Sequence, residues 1–62
     1  MSIYTLVLLW WDPKDKKVHE KTWNKDDGYP ASVFVDKLTT AKKHVVAKFV
    51  VAHETGEYAG AW

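Results

Sequence analysis

A chain of 62 residues forms one domain and, at that size, buries only about 60% of the surface its unfolded form exposes, so it needs a disulfide, a metal, a dense core or a second chain. There is no cysteine, which excludes disulfides and thiolate metal sites and fits a reducing, cytoplasmic setting. Nine lysines against eight carboxylates leave a charge of +1, with no arginine to fork onto phosphate or guanine, so neither nucleic acid nor an anionic membrane is expected to attract the chain strongly.

Ile3 to Trp11 is rich in β-branched and aromatic residues, lacks a helical period and is predicted to be a strand. Its apolar run, Leu6 to Trp11, is far shorter than the about 20 residues of a membrane span. No basic region precedes it and no small-residue cleavage site follows, so a signal peptide is not expected. Asp12-Pro13-Lys14-Asp15 carries turn chemistry, and Lys17 to Trp23 resumes as a more polar strand. A four-residue loop, Pro13 to Lys16, sets Trp11 opposite Val18, Trp10 opposite His19 and Leu9 opposite Glu20. Lys17 and Lys21 suit an edge strand that must resist unwanted pairing.

After the polar linker Asn24 to Gly28, Pro30 fits a first helical turn, and the spacing predicts a helix to about Lys43. Ala31, Phe34, Val35, Leu38 and Ala41 form its apolar stripe, while Lys42, Lys43 and His44 suit the negative end of the helix dipole. Val45 to His53 and Glu57 to Trp62 read as the third and fourth strands. A two-residue turn between them would oppose Glu54 and Glu57, whereas a three-residue loop, Glu54-Thr55-Gly56, puts glycine in the left-handed position and His53 opposite Glu57. The expected fold is α+β: ββαββ, a four-stranded, largely antiparallel sheet with one helix packed on one face. Strand order and the face the helix covers stay open.

The first strand is apolar on both sides, with Ile3, Thr5, Val7, Leu9 and Trp11 on one and Tyr4, Leu6, Leu8 and Trp10 on the other. The third alternates less severely, with Val45, Ala47, Phe49 and Val51 against Val46, Val50 and Ala52. One amphipathic helix covers one face, which leaves an apolar patch unusually large for a soluble monomer. A twin subunit, a different protein, or strong twist with long tryptophan and lysine side chains would each cover it.

His19, His44 and His53 lack the spacing of a metal site, and no metal or other cofactor is expected. The acids Asp12, Asp15, Asp26 and Asp27 fall in loops, in a chain with little room for a pocket, and neither a nucleophile elbow nor a glycine-rich phosphate loop is present. Enzymatic activity is therefore not expected. In size and style, this compact, cysteine-free, aromatic-rich plan is similar to the small accessory proteins that bacteriophages and mobile elements use to bind and block host proteins, although no motif carries the likeness.

The leading expectation is a non-enzymatic protein-binding module, homodimeric, that masks or recruits a protein partner. Its candidate interface is Tyr4, Leu6, Leu8 and Trp10, with Trp23 and Trp62, because aromatic anchors dominate binding hot spots. The alternative is a single-stranded nucleic-acid binder that stacks bases on Trp10, Trp23 or Trp62.

Overall fold

The structure, a computed structural model, describes residues 3–62. Two strands, β1 (Tyr4–Asp12) and β2 (Lys17–Asn24), form a hairpin, and a single 3₁₀ turn, Lys25–Asp27, leads into helix α1 (Gly28–Thr40). Strands β3 (His44–Ala52) and β4 (Tyr58–Ala61) complete one four-stranded sheet in the order β2-β1-β3-β4, every neighbour antiparallel. The expected ββαββ architecture is present.

Because β2 and β3 both run antiparallel to β1, they run parallel to each other with β1 between them. A parallel pair needs a crossover, and α1 provides it. The helix therefore passes over β1, and the face of β1 beneath it becomes the core. Leu8 and Ala31 are 0% exposed, and Leu6, Leu38 and Val50 are nearly so. Tyr4, Trp23 and Trp62 pack around the cluster of Leu6, Ala31 and Val50.

The first hairpin has the expected register, with Trp11 paired to Val18, Trp10 to His19 and Leu9 to Glu20. Its loop closes by donation of the Lys16 N–H to the Asp12 carbonyl at 2.8 Å, with Lys16 in the left-handed region at φ 56°. The second hairpin departs by one residue from the expected three-residue loop. The Ala52 N–H bonds the Glu57 carbonyl, so Ala52 and not His53 opposes Glu57, and the loop has four residues. The cause lies on the other side of β3, where the His53 N–H is donated to the Ile3 carbonyl at 2.8 Å. Gly56 does occupy a left-handed conformation, at φ 72°.

The helix begins two residues before Pro30 and ends three before Lys43. Its end is a Schellman motif, in which the Lys43 N–H bonds the Leu38 carbonyl and the Lys42 N–H bonds the Thr39 carbonyl, with Lys42 at φ 60°. Ala41, expected on the buried stripe, is thereby the exposed cap residue. In β3 a bulge interrupts strict alternation. Leu9 pairs with Ala47 but Trp10 with Val45, so Val45 joins the helix-side row instead of the row of Ala47, Phe49 and Val51.

Candidate functional site

Cross-strand partners share a face, so the ladder assigns the side chains of the sheet. On the helix side, β1 presents Tyr4, Leu6, Leu8 and Trp10, flanked by His19, Lys21 and Trp23 of β2 and by Val45, Lys48, Val50 and Ala52 of β3. On the other side, Thr5, Val7, Leu9 and Trp11 are flanked by Val18, Glu20, Thr22 and Asn24 of β2. His44, Ala47, Phe49 and Val51 of β3 continue that surface, and Tyr58 of β4 follows. The Phe49 and Tyr58 rings lie 6.4 Å apart.

Among the described residues, no layer lies over this second face. The molecule measures 35 × 21 × 15 Å, and its shortest dimension accommodates one sheet and one helix, since stacked layers sit about 10 Å apart. Val7 is nevertheless buried among its neighbours, while Val18 is 56% and Tyr58 71% exposed. Among the described residues paired on this face, Glu20 alone carries a full charge; Lys17, Lys21 and Lys48 pair with helix-side residues. Depletion of charge from an apolar, aromatic surface is the compositional mark of a protein interface core.

The six residues expected to form the interface, Tyr4, Leu6, Leu8, Trp10, Trp23 and Trp62, all lie on the opposite, helix-covered side. Leu6 and Leu8 are buried, and Tyr4, Trp10, Trp23 and Trp62 are half-buried. Phe34 of α1 meets Trp10 edge-on at 5.2 Å and Trp23 at 5.5 Å, and Trp23 meets Trp62 at 6.1 Å. The Trp62 indole N–H is donated to the Val7 carbonyl at 3.1 Å. Lysine ammonium groups cover several of these rings: Lys21 over Trp23 and Phe34, Lys25 over Tyr4 and Lys48 over Trp62, all within 6 Å. Aromatic surface committed to helix packing and to internal cations offers little free ring face for stacking bases, whereas the open face has aromatics and no lysine among its paired residues.

The first hairpin gathers a polar cluster that its sequence spacing did not suggest. His19 Nε2 lies 2.6 Å from Asp15 Oδ2, and Asp12 stands close enough for all three to offer ligand atoms to one ion. The four-residue loop brings position 19 back beside position 15, a proximity legible only once the register is known. Both acids are already engaged. Asp12 Oδ1 accepts the Lys14 N–H at 2.9 Å and Asp15 Oδ1 the Lys17 N–H at 3.0 Å, which makes them turn-forming residues. The remaining Asp12 oxygen lies 3.4 Å from Lys43 Nζ, so a cation already stands beside it. The Lys14 amide, with the Lys43 charge adding to it, holds the Asp12 carboxyl below the usual carboxylate range against a smaller opposing effect of desolvation.

Small size did not prevent a cavity. One of about 430 Å³ opens on the helix side, between the start of α1 and β4. Among the described residues, no helix is long and apolar enough to cross a membrane. The fold and these surfaces define a two-layer α+β domain with one uncovered sheet face. Compared with known proteins, the chain matches no family model, no curated protein and no solved structure.

Proposed function

We propose that this protein is a non-enzymatic, cytoplasmic protein-binding module that works as a homodimer, two copies meeting through their open sheet faces. The observation that carries the reading is the uncovered, nearly uncharged face of Leu9, Trp11, Val18, Phe49 and Tyr58. Two sheets packed this way form a helix–sheet–sheet–helix sandwich, with the lysine-bearing sides outward.

A second copy satisfies the surface because both partners bring the same lack of charge, and a two-fold axis lets one patch complement itself. Glu20 lies on the edge strand, where the rim of such an interface remains wet.

The test is sedimentation equilibrium or native mass measurement of the wild type and of Val18→Lys/Tyr58→Lys. Both positions are exposed, so the fold survives, and the dimer becomes monomer. Tyr29→Lys, at an 81% exposed position of α1, leaves association unchanged. A wild type that stays monomeric at millimolar concentration overturns the proposal, as does a dimer indifferent to Val18→Lys/Tyr58→Lys. A monomer whose open face shifts only on adding another protein assigns that face to a different partner.

A further inference from the structure

The cavity on the helix side is separate from the open face, and its lining points to a ligand. The paired side chains of Leu6 and Val50, both buried, belong to the sheet beneath it, and the rings of Tyr4 and Trp62 add apolar, polarizable surface. The helix side of the opening begins at Gly28, and β4 contributes Ala59. Lys25 is the single ionisable cation of the lining, its ammonium 5.0 Å from the Tyr4 ring centre, and no carboxylate side chain lines the cavity.

Gly28 lines the cavity as the first residue of α1. Its φ of −60° is ordinary for a helix, so no backbone demand selects glycine. Nor does packing, since a Cβ there would meet nothing within 4 Å. What glycine leaves here is space, on the rim of the cavity. The volume falls within the range of about 300–1,000 Å³ typical of small-molecule sites. At roughly 30 Å³ per water displaced, it accommodates a ligand of about a dozen non-hydrogen atoms.

We infer that this cavity binds a monocarboxylate with an apolar body of that size, its chain against Leu6, Val50 and Trp62 and its carboxylate on the Lys25 ammonium. An apolar body is favoured by the sheet-side lining. A negative head is favoured because the opening presents one cation, and because the first turn of α1 contains no acidic residue to oppose it. Asp26 and Asp27 are exposed in the preceding turn, outside the lining.

Sodium decanoate, below its micellar concentration, is the probe, with 1-decanol as the uncharged comparison. Amide and indole NMR shifts locate binding on the full chain. Decanoate is expected to bind saturably and to move the Trp62 indole N–H and the amides of Leu6, Gly28 and Val50. Lys25→Met should weaken decanoate at least 10-fold and leave decanol unchanged, and Gly28→Leu should weaken both. Retained shift dispersion shows that each variant is folded; should Gly28→Leu unfold, Gly28→Ala, which intrudes less, takes its place with a smaller loss. The inference is overturned if shifts do not saturate, if Lys25→Met binds decanoate as the wild type does, or if the shifts fall on Val7, Leu9 and Phe49. That last pattern would mean that the amphiphile merely coats the open face, and it leaves the dimer proposal to be judged by its own mass measurement.

Discussion

Lys16 and Lys42 share an unusual condition: each is a non-glycine residue in the left-handed region, one closing the first hairpin and the other ending the helix. For an L-residue with a Cβ this conformation costs roughly 1–2 kcal/mol, part of which glycine would recover before its greater unfolded-state entropy is counted. Gly56 holds the equivalent place in the second hairpin, whose loop closes with the same spacing, from the Gly56 N–H to the Ala52 carbonyl. Lys16→Gly and Lys42→Gly are each expected to stabilise the domain by about 0.5–1 kcal/mol, read from urea midpoints at unchanged slope.

At the scale of elements, Asp12 joins two that are distant in sequence. It ends β1, accepts the Lys14 amide within its own loop, and pairs with Lys43 just beyond α1. Its folded carboxyl is held below its unfolded value, so its contribution is present above about pH 4 and is lost as the pH falls through the lower, folded value. Asp12→Asn keeps an acceptor for the Lys14 amide and removes the charge. It should therefore be less stable than the wild type at pH 6, with the difference closing towards pH 2, in urea unfolding at both.

How much of these elements the sequence discloses depends on whether the deciding interaction is local. The first hairpin could be read from Asp12-Pro13 and the loop length, because both act within a few residues. The second slipped by one because its register depends on Ile3, which takes the His53 N–H from fifty residues away. The bulge opposite Leu9 and Trp10 leaves no local mark, since Val45, Val46 and Ala47 all suit a strand. The covered face was undecided for the same reason. Both sides of β1 are apolar, and only the route of the crossover between β2 and β3 selects Tyr4, Leu6, Leu8 and Trp10 for the core. The uncovered surface was thus foreseeable in kind, and its residues were not.

The whole molecule is two-sided in charge as well as in cover. Lysines of both flanking strands lie on the helix side, where their stems cover ring surface and their ammonium groups reach water, while the open side keeps its aromatics without such cover. If the dimer supplies that cover, folding and association are linked by mass action, and the thermal midpoint should rise with protein concentration. Scanning calorimetry over a hundredfold range of concentration checks this; a midpoint independent of concentration would separate folding from association.

The central position of β1 also bears on how the chain reaches this state. In synthesis β2 follows β1 at once, but β3 arrives only after the helix has been made. Until then one edge of the most apolar strand has no neighbour, and its side chains await α1. Long-range pairing of this kind is intrinsically slow, and unpaired apolar edges are where nascent chains adhere to one another. The strand that anchors the finished sheet is accordingly the segment most in need of shelter on the ribosome.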